Sequence, residues 1–97
     1  MSQHLKDDTW VWIVIQDPGN KEEILGQLDE EKNISFIPTF QTKEEGLQCM
    51  NLLSRKPGLT YEMQAILYED LTRFASEHKF MIVLINGSGD VIEEIPV

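Results

Sequence analysis

The side chains best suited to catalysis at neutral pH are the thiol of Cys49 and the imidazole of His78. A nucleophilic thiol needs a lowered pKa, from a helix N-terminus or from basic neighbours. Cys49 falls in mid-helix between Gln48 and Met50, so it is expected to be a buried thiol behaving as a small hydrophobe. His78 closes a helical stripe and is followed by Lys79. Positive charge at a helix C-terminus is favoured by about 0.3–1 kcal/mol. A general base also needs a positioned partner, and no Ser, Cys or Asp is tied to His78 by the sequence. His4 falls in the N-terminal segment and is given no role. No catalytic residue is therefore assigned.

Two other patterns invite a ligand. Asn86-Gly87-Ser88-Gly89 has the composition of a loop whose backbone amides cradle an anion. Phosphate loops run from strand to helix and carry a lysine, whereas this one runs from strand to strand and into Asp90. A hairpin turn is expected. The acidic pairs Glu22-Glu23, Glu44-Glu45, Glu69-Asp70 and Glu93-Glu94, with the run Asp29-Glu30-Glu31, lack the alternating oxygen-ligand spacing of a calcium loop. Two of them sit where helix starts favour negative charge. They are expected to be solvated, and neither a metal nor a cofactor is assigned.

Seventeen acidic against eight basic residues give the 97-residue chain a formal net charge of -9. Phosphate backbones are bound through clustered Lys and Arg, and only Arg55 and Lys56 are adjacent here. No nucleic-acid or membrane partner is expected. With a single cysteine no intrachain disulfide forms. The first eight residues carry no apolar signal-peptide core, and the runs Val11 to Ile15 and Phe80 to Ile85 are too short to span a bilayer. These features favour the cytoplasm.

Residues 1–8 read as a short disordered, solvated tail, and 9–97 as one domain with a core of its own. Trp10 to Gln16 is a strand of β-branched and aromatic residues, ended by the turn Asp17-Pro18-Gly19-Asn20. Residues 22–31 fit either a helix capped by Asn20 or a strand over 23–28, and the strand is preferred. Ile34 to Phe40 is a strand in which Pro38 implies an edge or an end. Thr42-Lys43-Glu44-Glu45 is a capping box opening a helix over 42–55. Tyr61 to Leu67 is a strand, and the stripe Leu71, Phe74, Ala75, His78 marks a helix over 69–79. Strands over 80–85 and 91–95 close the chain. The fold class is α+β, a mixed, largely antiparallel sheet with both amphipathic helices expected on one face.

The segments "ISFIPTFQTKEEGLQCMNLL", "YEMQAILYEDLTRFASEHKF" and "MIVLINGSGDVIEEI" resemble a family of short cyanobacterial and plastid proteins known as a domain of unknown function. They also resemble the N-terminal domain of SseB-type proteins. The resemblance covers residues 23–86 and implies a fold, with 23–28 extended. It implies no catalytic residue.

One feature of the first strand bears on function. Trp10, Trp12 and Val14 face one way and Val11, Ile13 and Ile15 the other, and strands apolar on both faces are covered on both. With both helices on one face, the second must be covered by terminal strands, by 22–31 if helical, or by another molecule. Exposed apolar surface marks interfaces. The expectation is a non-enzymatic interaction or regulatory module. It would dimerise or bind another protein through Trp10, Trp12, Val14 and Tyr61. A small-ligand module using the same face stands second, and an enzyme using Cys49 or His78 third.

Overall fold

The computed structural model of the chain describes residues 2–97. Met1, the first residue of the expected tail, lies outside them. Strand β1 (Trp10–Gln16) is the centre of a sheet ordered β2-β1-β5, with β2 (Glu23–Ile24) and β5 (Tyr61–Leu67) both antiparallel to it. A second sheet is ordered β3-β4-β6-β7, from β3 (Gln27–Asp29), β4 (Ile34–Thr39), β6 (Met81–Ile85) and β7 (Val91–Ile95). Among the described residues only β4 and β6 run parallel. Trp12 and Phe40 join the sheets, each N–H donating to the other's carbonyl at 2.8 Å. The α+β class and the strands at 10–16, 61–67 and 91–95 are as expected.

The segment 22–31 is extended and breaks into two strands. β2 pairs with β1 and β3 with β4, and between them the Leu25 N–H donates to Val14 at 2.8 Å. Gly26 lies against the Phe80 ring, where a Cβ would stand 2.7 Å from a ring carbon. Pro38 sits inside β4 for a related reason. Residues two apart in a strand turn their N–H groups to the same edge. On that edge Phe36 is paired with Gln27 and Phe40 with Trp12. The Pro38 nitrogen faces the gap between the two pairings, so its missing donor breaks no ladder.

Helix α1 (Lys43–Cys49) begins at the expected cap, where Thr42 Oγ1 accepts from the Glu45 N–H at 3.2 Å. It is shorter than the expected 42–55, giving way to a 3-10 turn at Met50–Leu52. The Gln27 side chain takes over the backbone beyond: Oε1 accepts from the Ser54 N–H at 2.8 Å and Nε2 donates to the Ser54 carbonyl at 2.9 Å. Helix α2 (Tyr68–His78) ends on Lys79 in the left-handed region, φ 61°.

The placement of the helices corrects the expectation of a shared face. Tyr68, Leu71 and Ala75 of α2 pack with Val11, Ile13, Ile15, Ile82 and Leu84, whereas Cys49 of α1 packs with Val14, Phe40, Met63, Val83 and Ile85. Alternate residues of one strand point to opposite faces, so α1 and α2 lie on opposite sides of the sheet. Strands apolar on both faces then have a helix for each, and the face of Trp12 and Val14 belongs to α1.

The N-terminal segment departs from expectation as well. Residues 2–8, expected to be solvated, form an ordered strap whose Leu5 is 5% exposed within the α2-side core. Helix N-termini carry unsatisfied amides. Here the Tyr68 N–H donates to the Thr9 carbonyl at 2.8 Å and the Glu69 N–H to that of Asp7 at 3.1 Å. The strap thus supplies the cap that Leu67 lacks.

Candidate interaction edge

The four residues expected at an interface share one face but differ in access. Trp10 is 60% exposed at the start of β1, Trp12 is half-buried, and Val14 is 1% exposed. Val14 lies under Met63 and Cys49 in the α1-side cluster, so it cannot touch a partner and leaves the interface. Helix α1 has taken the place that an outside molecule was expected to fill. Lys43, at the start of α1, holds its Nζ 5.8 Å from the Trp12 ring centre. Tyr61, paired with Gln16, is tied to the loop before it: its hydroxyl accepts from the Lys56 N–H at 2.7 Å.

The edge of the sheet beside these residues is open. Strand β5 pairs with β1 over its whole length, from Trp10 opposite Leu67 to Gln16 opposite Tyr61, with no shift in register. The Asp17 N–H donates to Thr60 at 2.9 Å and the Tyr68 N–H to Thr9 at 2.8 Å. Bonded pairs alternate along an antiparallel ladder, so Glu62, Gln64 and Ile66 turn their amides and carbonyls inward to β1. Tyr61, Met63 and Ala65 turn theirs outward, and among the described residues those groups take no partner. This edge carries one charge, Glu62, and neither proline nor lysine.

The opposite edge of the molecule is built differently. Strand β7 meets β6 with a register shift opposite Leu84/Ile85 and carries the exposed charge of Glu94. Bulges and edge charges are the usual devices that keep a strand edge from pairing with another chain. β7 has both and β5 has almost none.

Each face also has an apolar cleft. On the α1 side a cleft of about 270 Å³ is lined by Phe36, Leu53, Met81, Val83, Ile85 and Val91, with Lys32 and Glu94 at its mouth. Those two are 3.7 Å apart. On the α2 side a more open cleft of about 620 Å³ has Ile15, Ile24, Ile66, Phe74 and Phe80 on its walls and Glu22 and His78 on its rim.

The remaining chemical candidates are dispersed. Cys49 is 1% exposed and burial pushes its thiol pKa up, opposite to what a nucleophile needs. His78 is exposed on the other side of the sheet, its ring 4.3 Å from that of Phe74. The two cannot act together. In the Asn86 turn, Asn86 Oδ1 already accepts from the Ser88 N–H at 3.0 Å and the Asp90 N–H at 2.9 Å. Those amides are spent on the hairpin. Among the described residues no group of three or more His, Cys, Asp or Glu side chains is placed to hold a metal, and no helix is long and apolar enough to cross a membrane.

Searches against protein-family models, curated proteins and solved structures each return no match to this chain.

Proposed function

We propose that this chain is a non-enzymatic protein-interaction module that takes up an extended segment of a partner as an additional strand along β5. The observation that carries this reading is the outward row of unpaired backbone groups on Tyr61, Met63 and Ala65, on a regular seven-residue edge. Strand addition derives its affinity from such main-chain bonds and its selectivity from the side chains alongside. Trp12 lies across from Ala65 and Trp10 across from Leu67, which gives an incoming strand aromatic neighbours on the α1 face. Aromatic side chains are the common anchors of interfaces. A surface of net charge -9 favours protein over nucleic acid or anionic membrane, and a single buried thiol suits the cytoplasm.

The test is a proline placed on the edge. Ala65→Pro removes an outward N–H and leaves the β1 ladder whole, so the fold is expected to survive with its far-ultraviolet circular dichroism unchanged. Octapeptides selected by display on the wild-type protein should lose binding to this variant. Selected peptides that bind Ala65→Pro as well as wild type would overturn the reading.

A second reading has its own observation. The α1-side cleft is apolar and concave, as small-ligand sites are. A module binding a small apolar ligand there would show a raised melting temperature in a thermal-shift screen, with the gain abolished by Val83→Phe.

A further inference from the structure

The partner strand is a second copy of this chain: we infer that two β5 edges pair antiparallel about a two-fold axis, with Met63 opposite Met63. This rests on the edge reading above and specifies its occupant.

The outward groups restrict the register. Antiparallel pairing must oppose residues that both face outward, which on this edge are Tyr61, Met63 and Ala65. Centring the axis on Met63 opposes Tyr61 to Ala65 of the second copy and Ala65 to its Tyr61. Every outward amide and carbonyl of the three then finds a partner. Centring on Gln64 instead opposes Tyr61 to Leu67, which caps α2 and whose carbonyl is committed to the helix. Centring on Glu62 sets two carboxylates face to face, and like charges directly opposite are destabilising.

Side chains agree with the Met63 register. On the α2 face the charged Glu62 meets the neutral Gln64 of the second copy, and Gln64 meets its Glu62. On the α1 face the half-buried Ala65, a small residue next to Trp12, stands opposite Tyr61 of the second copy, whose hydroxyl stays bonded to its own Lys56 and Gln16. The row Trp12, Ala65, Tyr61 of the second copy then runs unbroken across the joined sheet. Closed two-fold dimers are the commonest homo-oligomers, and self-complementarity of a single strand is what such an axis requires.

The register makes Gln64 a reporter. Gln64 is exposed, so charge changes there spare the core. In the Met63 register Gln64→Lys creates two Lys–Glu62 pairs across the axis and Gln64→Glu creates two Glu–Glu62 clashes. At the strength of cross-strand charge pairs, the two variants should tighten and weaken the dimer by about 2- to 30-fold respectively.

Sedimentation equilibrium of wild type, Gln64→Lys, Gln64→Glu and Ala65→Pro reads this directly. A wild-type dimer, tightened by lysine, weakened by glutamate and abolished by proline, is the expected result. A dimer weakened by both charges would overturn the Met63 register, because residue 64 would then face itself. A wild type monomeric at high micromolar concentration would overturn the second copy as partner. In that case the display peptides decide the other question: binding lost in Ala65→Pro leaves the edge reading standing, and its persistence removes both.

Discussion

The carboxylate of Glu93, in β7, accepts a hydrogen bond at 2.9 Å from the backbone N–H of Gln3, ninety residues away in sequence. Ser2 Oγ donates to the same carboxylate at 2.8 Å, and His4 Nδ1 lies 2.9 Å from it. One acid thus gathers the first residues of the chain. They in turn seat Leu5 in the core and cap α2 with the carbonyls of Asp7 and Thr9.

That arrangement fixes a pH dependence. Burial pushes the Glu93 pKa up, but the bonds from Gln3, His4 and Ser2 outweigh it and bring the group down from 4.5 to about 2. With the folded value depressed, the unfolded chain takes up the proton first as pH falls. The contribution is therefore whole above pH 4.5 and is lost as pH drops from 4.5 to about 2. Glu93→Gln should be less stable than wild type at neutral pH and lose less across that window. Urea unfolding of both proteins from pH 7 down to pH 2 checks this. Parallel stability curves would mean that Glu93 does not hold the strap.

Gly46 sits in α1, where alanine ordinarily stabilises a helix by up to about 1 kcal/mol. Here a Cβ would run into the Met63 methyl, 2.8 Å from its Sδ and 3.2 Å from the Phe40 ring. Both neighbours are buried, and overpacking costs about 1–3 kcal/mol. Gly46→Ala should thus destabilise by about 1 kcal/mol net. Adding Met63→Val should recover part of the loss, and a denaturant double-mutant cycle would show the two changes to be non-additive. Additive losses would place the strain elsewhere.

Elements with local chemistry were legible in the sequence. The Thr42 capping box, the Asp17 to Asn20 turn, the Asn86 hairpin and the apolar runs of β1 and β6 are spelled out by neighbouring residues. What depends on distant partners was not. The chain beyond α1 is held by Gln27 reaching Ser54, and the strap by Glu93 reaching Gln3. The side each helix takes could not be read from β1, because both of its alternating residue sets are apolar: α2 packs on Val11, Ile13 and Ile15, and α1 on the face of Val14. The candidate site was half legible: Trp10, Trp12 and Tyr61 were marked by residue type, but an unpaired edge is a property of the backbone. The one available signal was "YEMQAIL", a strand with a single charge and none of the usual edge defences.

Lys79 holds φ 61° and ψ 42° at the end of α2, and the Phe80 N–H donates back to the Ala75 carbonyl at 2.8 Å. A residue with a Cβ is strained in this region by about 1–2 kcal/mol, a cost glycine avoids while losing more chain entropy on folding. Lys79→Gly should therefore stabilise by up to about 1 kcal/mol. A raised melting temperature is the expected outcome. A lowered one would show that the lysine ammonium at the helix C-terminus outweighs the strain.

Cys49 offers a probe of the whole core. Its Sγ is enclosed with Val14, Phe40 and Met63, and burial pushes the thiol pKa up, so a thiol reagent must wait for the chain to open. Alkylation of the folded protein at neutral pH should be far slower than that of the unfolded chain. When opening and closing are fast relative to the reagent, the rate follows the open population. Gly46→Ala, destabilised by about 1 kcal/mol, should then label about fivefold faster than wild type. Lys79→Gly should label more slowly. Mass spectrometry of timed samples reads all three. Labelling at the unfolded rate in native buffer would mean that α1 leaves the sheet readily, which would expose the face of Trp12 and Val14 to a partner after all.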